Sequence, residues 1–393
     1  MKRILLILGI LCWGFTFSQT NWEIVNSGTI NKLNDIQFTS NYIGYVVGEN
    51  GTILKTLDGG NSWSDISITT NEFINSISFI NDNIGYLSTQ NRIYKTIDGG
   101  INWTIKTEDL VNNFNTIKFL TEQIGFIGTD SNIFKTTNGS QNWINIKTTL
   151  SNINTISFPT SNTGFFTGGS SSGYVYKTTD QGSTIGTIIN PYNTIREEIQ
   201  FLDNNIGYLI GWYNPYILKT TNGGTSWFEI NMDYAGGMAV HFLTEQIGYH
   251  IDNSGGNSKI FGTNDGGLNW NNELTFASSS SYGLKKFVSN STSVLCIGDN
   301  GIIYKKSLTL SNYSFATNNN IKIYPNPTAN IINVEEINKE GTLTNYIIYN
   351  LIGQEIVKGK INNNQIDLQY ISDGAYILKL GDKNQTFKII KEQ

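Results

Sequence analysis

The sequence predicts an all-β fold, and three observations lead to this prediction. Short runs of β-branched and aromatic residues alternate with turns rich in Gly and Asn along the 393 residues. No stretch shows sustained helical periodicity. Phrases such as KTLDGGNSW at 55–63 recur about every 41 residues, which indicates a repeat architecture.

The first element is an N-terminal segment with the layout of a secretory signal. Lys2 and Arg3 precede an apolar run over 4–17, and polar residues follow it. The run is too short to cross a bilayer comfortably, so we expect a signal peptide over residues 1–19 and no transmembrane segment in the mature chain. Cys12 lies within the run and leaves a lipoprotein as the alternative, although bulky Leu11 precedes it where a small residue is expected.

The charge of the mature chain restricts its partners. Removing Lys2 and Arg3 from the 26 basic residues leaves 24 against 31 acidic ones, a net charge of −7. An acidic secreted chain is a poor candidate for binding nucleic acid or anionic lipid. Cys296 is then the one cysteine left, so no intrachain disulfide forms, and its apolar surroundings predict a buried filler.

Each repeat unit predicts four short strands, as expected of one propeller blade. In the first unit, an apolar-x-Phe phrase at 36–38 and an Ile-Gly-Tyr phrase at 43–45 precede the Gly-rich turn. The position that closes the turn recurs at intervals of 40 to 43 residues, at Trp63, Trp103, Trp143, Ile185, Trp227 and Trp270.

The count of units predicts a closed ring. Six units are complete, and a seventh, which begins near residue 285, lacks its last strand. Trp22 lies 41 residues before Trp63 without a blade of its own, so residues 21–26 are predicted to complete the seventh blade. Closure leaves no free sheet edge exposed to aggregation. The sequence therefore predicts a seven-bladed β-propeller over residues 20–307.

The repeated turns are predicted to be structural rather than catalytic. A short Asp or Asn side chain accepts hydrogen bonds from turn amides, the Gly pair permits positive φ, and Trp covers apolar surface. Asn replaces Asp in two copies, which a turn tolerates and a catalytic carboxylate does not. The predicted structural residues are Asp58, Trp63, Asp98, Trp103, Asn138, Trp143, Asp180, Asn222, Trp227, Asp265 and Trp270.

These linked phrases resemble the Asp-box (BNR-like) repeat of sialidases, xyloglucan-cleaving glycosidases and sortilin-type receptors. More closely, they resemble the propellers of the photosystem II stability and assembly factor family, over residues 21 to about 307. Sialidases need three arginines to grip the substrate carboxylate, and the assembly factors engage their client through an arginine-rich patch. The mature chain has two arginines, Arg92 and Arg196. Sialidase chemistry is therefore excluded, and the resemblance implies the fold rather than the function.

The C-terminal part is predicted to be a separate module. Residues 308–320 form a polar linker, and alternating apolar residues over 321–393 predict a small β-sandwich. The phrases that stand out contain Tyr324, Pro325, Asn326, Pro327, Gly353, Gly374, Tyr376 and Lys379. They resemble the type A sorting domain of the Bacteroidota type IX secretion system. The resemblance implies export by that machinery, with the domain commonly removed; an ordinary adhesive sandwich is the alternative.

Loops on the face opposite the repeated turns are predicted to carry the ligand site, since loops on a rigid scaffold commonly bind. The most unusual loops belong to blade 5, where aromatic faces beside amides and carboxylates suit sugar rings. The alternative is that these aromatics only cover the blade. The predicted ligand residues are Trp212, Tyr213, Asn214, Tyr216, Tyr192, Arg196 and Glu197.

The recurring lysines and the two histidines of the mature chain are not predicted to form a functional site. A lysine recurs once per blade, and neighbouring acids favour a solvated strand position for it; the lysines are Lys55, Lys95, Lys135, Lys177, Lys219 and Lys305. His241 and His250 lack the spacing of a metal site, and no cofactor or metal is predicted.

The leading hypothesis is a secreted or cell-surface, non-enzymatic propeller that binds a glycan or protein ligand and uses the type IX machinery for export. The alternative is a glycoside hydrolase or lyase with paired carboxylates on the loop face. The acids available there are Glu49, Asp130, Glu197 and Asp252. A third interpretation is a purely structural surface component.

Overall fold

The computed structural model describes residues 22–107, 113–149, 152–168, 174–188, 198–211, 216–232, 237–254, 256–277, 283–308, 321–336, 345–350, 355–380 and 385–392. The predicted signal peptide and nearly all of the predicted linker lie outside these residues. Everything below refers to the described part of the chain.

Residues 22–307 form seven antiparallel sheets of four strands each. The first strands of blades 1 to 7 are β2 (Leu33–Phe38), β6 (Ile74–Phe79), β10 (Phe114–Phe119), β14 (Thr155–Ser157), β18 (Glu198–Phe201), β22 (Gly237–Phe242) and β26 (Leu284–Ser289). The second strands are β3 (Gly44–Gly48), β7 (Gly85–Thr89), β11 (Gly125–Thr129), β15 (Gly164–Gly168), β19 (Gly207–Ile210), β23 (Gly248–Asp252) and β27 (Ser293–Gly298).

The two outer rows complete the blades. The third strands are β4 (Ile53–Thr56), β8 (Ile93–Thr96), β12 (Asn132–Thr136), β16 (Tyr174–Thr178), β20 (Tyr216–Thr220), β24 (Asn257–Thr263) and β28 (Ile303–Ser307). The fourth strands are β5 (Ser64–Asp65), β9 (Thr104–Thr107), β13 (Ile144–Thr148), β17 (Gly186–Ile188), β21 (Phe228–Asn231), β25 (Asn271–Ala277) and, for blade 7, β1 (Trp22–Val25). Short 3-10 turns at Glu49–Gly51 and Asp299–Gly301 join second to third strands in blades 1 and 7.

The seven first strands contact one another in cyclic order, and β26 returns to β2. They therefore surround a central axis, with the other strands of each blade further out. This arrangement confirms the predicted seven-bladed propeller.

The ring closes through strands from its two ends. Strand β1 pairs antiparallel with β28, and Trp22 lies opposite Lys306. Trp22 is buried, meets the ring of Tyr249 edge-on at 5.6 Å between centroids, and donates from Nε1 to Glu273 Oε2 at 2.8 Å. Because Tyr249 and Glu273 belong to blade 6, this tryptophan joins blade 7 to its neighbour as well as closing the ring.

The recurring aromatic phrases pack each blade against the next. Tyr45 of blade 1 stacks on Phe79 of blade 2 with 3.8 Å between ring centroids, and Trp103 meets Phe79 edge-on at 6.0 Å. The same stack occurs at Tyr86 on Phe119, Phe165 on Phe201 and Tyr208 on Phe242. Stacked and edge-on aromatic pairs stabilise packing beyond the area they bury. The aromatic residues of the repeat therefore pack neighbouring blades against each other.

The lysine that recurs in six of the seven blades is less solvated than the sequence suggested. Lys55 Nζ donates to the carbonyl of Gly99 in the next blade at 2.9 Å and lies 5.2 Å from the centre of the Tyr45 ring. Lys135, Lys177 and Lys305 make the same bond, to the carbonyls of Gln181, Gly223 and Gly59. The lysine stem covers apolar surface while its ammonium group bonds to the next blade's turn. In blade 5, Lys219 instead pairs with Glu245 at 3.2 Å.

The C-terminal part has two sheets. One has the order β29 (Ile321–Tyr324), β30 (Ile331–Glu336), β33 (Gln365–Asp367), and the other the order β32 (Glu355–Lys360), β31 (Asn345–Tyr349), β34 (Gly374–Leu380), β35 (Gln385–Lys391). Ile332 and Ile366 of the first sheet share one buried cluster with Ile348 and Leu378 of the second. The two sheets thus enclose a small core, as the sequence predicts.

The residues that suggested a sorting domain lie in this part. Tyr376 donates from Oη to the carbonyl of Ser372 at 2.8 Å, and Asn326 Oδ1 accepts from the amide of Ile390 at 2.7 Å. Tyr324 ends β29, Gly374 begins β34 and Lys379 lies within β34. Pro325 and Pro327 occupy the exposed turn after β29, and Gly353 lies outside the described residues.

Candidate functional site

The Asp-box turns contain a repeated hydrogen-bond network. In blade 1, Asp58 Oδ1 accepts from the amides of Asn61 and Ser62, both at 2.9 Å, and from Thr56 Oγ1 at 2.7 Å. Thr56 Oγ1 in turn accepts from the amide of Gly60 at 2.9 Å. One carboxylate oxygen and one hydroxyl thus satisfy the donors of a tight turn, which supports a structural role for the Asp.

The copies that carry Asn keep the same geometry. Asn138 Oδ1 accepts from the amide of Asn142 at 2.9 Å, and Asn222 Oδ1 accepts from the amide of Ser226 at 2.9 Å. The acceptor is what the turn needs, and the negative charge is dispensable. These turns all join third to fourth strands, so they lie on one face of the propeller together with the turns between first and second strands.

Most of the ligand residues predicted in blade 5 lie outside the residues that the structure describes. Trp212, Tyr213 and Asn214 lie outside the described residues. So do Tyr192, Arg196 and Glu197 in the segment that enters the blade. Tyr216 is half-buried at the start of β20, with its backbone opposite Asn231. A ligand role for these residues stays a prediction.

A polar cavity of about 310 Å³ lies on the propeller axis. Its lining comes from the starts of the first strands, so it is on the face that the blade-to-blade segments reach, opposite the Asp-box turns. All seven first strands contribute to it, together with Asn154, the residue before β14. The lining residues are Asn34, Asp35, Asn75, Ser76, Asn115, Thr116, Asn154, Thr155, Glu198, Met238, Lys285 and Lys286.

Amide side chains on one side of the cavity are held by hydrogen bonds, two of them to the neighbouring blade and one within blade 3. Asn34 Nδ2 donates to the carbonyl of Ile74 at 2.9 Å, and Asn75 Nδ2 donates to the carbonyl of Phe114 at 2.8 Å. Asn115 Nδ2 donates to Asp130 Oδ1 at 3.1 Å. These bonds fix the amide planes, so the cavity wall is held in place before any ligand arrives.

The charged side of the cavity is built by blades 1 and 7. Lys286 Nζ lies 2.6 Å from Asp35 Oδ1, and Lys285 Nζ donates to Asn34 Oδ1 at 2.8 Å. Asp35 Oδ2 also accepts from Ser76 Oγ at 2.7 Å and from the amide of Ile77 at 2.9 Å. Both oxygens of Asp35 are thus engaged by the protein itself.

The lysines of the axis differ in their pKa. Burial would lower the pKa of Lys286, but the carboxylates of Asp35 and Glu198 reverse this and raise it. Burial and the positive charge of Lys32 instead lower the pKa of Lys285 to about 8. Burial and the charge of Lys286 also lower the pKa of Lys118, which follows Thr116 by two residues on β10.

The acids that the sequence offered to a hydrolase lie in separate blades. Asp130 accepts from Asn113 and Asn115, and Asp252 from the amide and hydroxyl of Ser254. Glu49 is in the 3-10 turn of blade 1, and Glu197 lies outside the described residues. Within the described part of the chain, no group of three His, Cys, Asp or Glu side chains could hold a metal ion.

The axial residues carry a sequence signal that the blade 5 interpretation missed. Asn34, Asn75, Asn115 and Asn154 recur at the same place in the first four blades, each two residues before the isoleucine of the first strand. A polar residue that recurs at the start of the innermost strand in successive repeats indicates a polar lining around the axis of a closed ring.

Two parts of the chain match family models. Residues 16–185 match the model described as Photosynthesis system II assembly factor YCF48, and residues 322–392 match the Secretion system C-terminal sorting domain. This chain is a repeat propeller similar to the photosystem II assembly factors, with a C-terminal secretion sorting domain.

Curated relatives of this propeller match over a short segment. The photosystem II assembly lipoprotein Ycf48 of Trichormus variabilis is 38% identical over 73 residues, which are 17% of this chain and 22% of that protein. The chain therefore spans about a fifth of the length of the curated relatives it matches.

Solved structures show the same fold at low identity. A structure described as YCF48 bound to D1 peptide has a TM-score of 0.63 and 18% identity, and the alignment covers 74% of this chain and 97% of that one. The GH74 enzyme of Niastella koreensis has a TM-score of 0.58 and 16% identity, over 95% of this chain and 75% of that one. At these identities the likeness concerns the fold alone.

The sorting domain indicates where in or outside the cell this propeller is found. It is exported by type IX secretion to the cell surface or the medium, as the sequence predicted. Among the described residues, no helix has the length and apolar character needed to cross a bilayer.

Proposed function

We propose that this protein is a non-enzymatic binding module outside the cell, and that it holds its ligand on the face opposite the Asp-box turns, centred on the axial cavity. The observation that carries the proposal is the cavity itself. It has a volume of about 310 Å³, near the lower limit of ligand sites, and its polar lining is anchored by hydrogen bonds between blades.

A protein segment is the ligand that this lining favours over a glycan. Sugar sites commonly offer an aromatic face to the sugar ring, whereas Met238 is the single apolar side chain in the described lining. Amide and hydroxyl groups match the donors and acceptors of a peptide backbone. A neighbouring fold described as YCF48 bound to D1 peptide is consistent with a propeller of this kind holding a peptide.

Array binding with paired variants tests the proposal. The full-length chain is applied to a peptide array and a glycan array, together with Asn115→Trp, which fills the cavity, and Leu57→Trp, a matched control on the Asp-box face where Leu57 is 67% exposed. We expect peptide spots that Asn115→Trp loses by tenfold or more and Leu57→Trp keeps. Retention of every spot by Asn115→Trp would refute a role for the cavity.

The same arrays test the blade 5 loops. If Trp212 and its neighbours extend the ligand face, Trp212→Ala weakens the same spots that Asn115→Trp removes. Unchanged binding by Trp212→Ala would restrict the site to the axis.

The second candidate function is a glycoside hydrolase or lyase, which the fold of the Niastella koreensis GH74 enzyme favours. Incubation of the full-length chain with the arrayed polysaccharides distinguishes it, because new reducing ends appear only if bonds are cleaved. Absence of both binding and cleavage would favour a purely structural surface component.

We also propose the processing of the chain. Residues 1–19 are removed as a signal peptide, 20–307 remain as the propeller, and the linker over 308–320 is followed by the sorting domain over 321–393. Mass spectrometry of the exported protein measures both ends directly.

A further inference from the structure

We propose that the axial cavity recognises a primary amide, the side chain of an asparagine or glutamine on a bound protein segment, through Oδ1 of Asn75 and Oδ1 of Asn115. This inference rests on the proposed function and adds the chemical class of the group that enters the cavity. It is carried by two hydrogen-bond acceptors of blades 2 and 3 that the described part of the protein leaves unused.

The four asparagines of the lining differ in what their side-chain oxygens accept. Asn34 Oδ1 accepts from Lys285 Nζ at 2.8 Å, and Asn154 Oδ1 accepts from the side-chain amide of another asparagine at 2.8 Å. Among the described residues, no donor bonds Oδ1 of Asn75 or Oδ1 of Asn115. Blades 1 and 4 thus fill this position themselves, whereas blades 2 and 3 leave it open.

The orientation of both open amides is fixed by their nitrogen atoms. Asn75 Nδ2 donates to the carbonyl of Phe114 at 2.8 Å, and Asn115 Nδ2 donates to Asp130 Oδ1 at 3.1 Å. A carbonyl and an ionised carboxylate only accept, so neither amide can be turned over without losing its bond. Because Phe114 directly precedes Asn115, the Asn75 amide lies beside the base of the Asn115 side chain. The two oxygens are therefore neighbouring acceptors that are held in place before a ligand arrives.

The charges that line the cavity are two lysines and two acids, and they balance. Lys286 Nζ lies 2.6 Å from Asp35 Oδ1, and the charge of Glu198 acts on the same lysine. Lys118, which is outside the lining, and Asp130 add one charge of each sign from blade 3.

The other lysine of the lining, Lys285, is compensated from behind the wall. The carboxylates of Asp299 and Glu49 act on it, and so does the positive charge of Lys32, whose Nζ lies 3.4 Å from Asp299 Oδ1. These nine groups together carry four positive and five negative charges. An anion therefore finds no excess of positive charge in the cavity, and a neutral ligand group fits it best.

A primary amide is the neutral group that matches the open positions. Its nitrogen carries two N–H donors, one for each open oxygen, and its carbonyl accepts a bond. The hydroxyl of Thr116 and Nδ2 of Asn154 are on the same wall and, within the described residues, make no hydrogen bond, so either can donate to that carbonyl. A sugar hydroxyl offers one donor, and an ammonium group would place a further positive charge beside Lys285 and Lys286.

Saturation-transfer NMR from the full-length chain to short peptides tests the inference. Each probe has the sequence Gly-Gly-X-Gly with an acetyl group at one end and an N-methylamide at the other, so that any primary amide is on X. Residue X is glutamine, asparagine, glutamate, lysine, or glutamine dimethylated on its side-chain nitrogen. We expect the glutamine or the asparagine peptide to bind at least about tenfold more tightly than the other three. The dimethylated probe keeps the carbonyl and loses both donors, so it tests the two acceptors directly.

Variants of the two asparagines locate the binding. Asn75→Ala and Asn115→Ala each remove one acceptor and are expected to weaken the amide peptide about three- to tenfold. They should also bring its affinity closer to that of the dimethylated probe, a change that a merely structural role of these residues would not produce. Asn145→Ala, on the exposed part of the outer strand β13, is the matched control and leaves both affinities unchanged.

Near-ultraviolet circular dichroism checks the folding of each variant. If one asparagine variant fails to fold, the other decides the test, and if both fail, the ranking of the five probes by the native chain decides it.

Several outcomes would overturn the inference. Equal affinity for glutamine and its dimethylated form, tighter binding of the glutamate or lysine probe, no binding of either amide peptide, or full affinity in both asparagine variants would each do so. Array spots that Asn115→Trp removes and that contain neither asparagine nor glutamine would leave the proposed function standing without the amide.

Discussion

At the scale of single residues, the Asp-box turns show where the backbone demands glycine. Two consecutive positions in the blade 1 turn have positive φ, 70° at Gly59 and 83° at Gly60. The third and fourth blades place side chains in this conformation, with φ of 74° at Ser140 and 56° at Gln181. A side chain in the left-handed region is strained because its Cβ crowds the backbone.

We therefore expect Ser140→Gly to stabilise the protein by about 0.5–1 kcal/mol, because glycine relieves the strain and keeps the amide that bonds Thr136 Oγ1. Urea unfolding of both proteins measures the change. The reverse substitution, Gly60→Ser, is the control, and it should destabilise because the new Cβ would lie 2.6 Å from Leu295 Cδ2. A less stable Ser140→Gly protein would contradict the argument.

At the scale of the element, each Asp-box turn depends on an ionised or neutral acceptor at one position. Hydrogen bonds from Asn102 and Thr96 lower the pKa of Asp98 to about 2, and bonds from Thr184 and Asn269 do the same for Asp180 and Asp265. A carboxyl group whose pKa is lower in the folded than in the unfolded chain stabilises the fold above its unfolded pKa. That contribution disappears as the pH falls through the folded value.

The turns should therefore weaken in acid between about pH 4 and pH 2. Urea midpoints of the native chain are expected to hold down to about pH 4 and then fall. The variant with Asn at positions 98, 180 and 265 should fall less over this range, because its acceptors do not titrate. Parallel curves for the two proteins would show that these carboxylates do not set the acid limit.

The elements also show why some features escape prediction from sequence. The strands and turns follow from local periodicity, so the blades and their number could be counted. Lys55 looked solvated because its partner, the carbonyl of Gly99, lies 44 residues further along the chain. Asn34 and Lys285 meet across 251 residues, and nothing local in either strand indicates the contact. Only ring closure places such residues together.

At the scale of the whole molecule, closure depends on one short strand. Strand β1 has four residues and brings one buried aromatic, Trp22, into a cluster shared by blades 6 and 7. Its indole also meets the Glu273 carboxylate, which Lys306 contacts at 2.6 Å. Loss of this side chain removes packing and leaves both charged groups less well satisfied.

Trp22→Ala is expected to destabilise the propeller by about 3–5 kcal/mol, the range for a buried large aromatic. Glu23→Ala on the same strand is the matched control and should change stability by less than about 0.5 kcal/mol, since Glu23 is exposed. Guanidinium unfolding measures both. A decrease in unfolding free energy of less than about 1 kcal/mol for Trp22→Ala would mean that the closing strand β1 contributes little to stability.

The closing strand β1 has a consequence for a protein that carries a C-terminal secretion sorting domain. Blade 7 takes its fourth strand from Trp22–Val25, so within the described residues none of the seven sheets uses a strand from beyond Ser307. If a protease cut the chain after Ser307, no strand pairing described within the propeller would be broken, and all seven blades would keep their four strands.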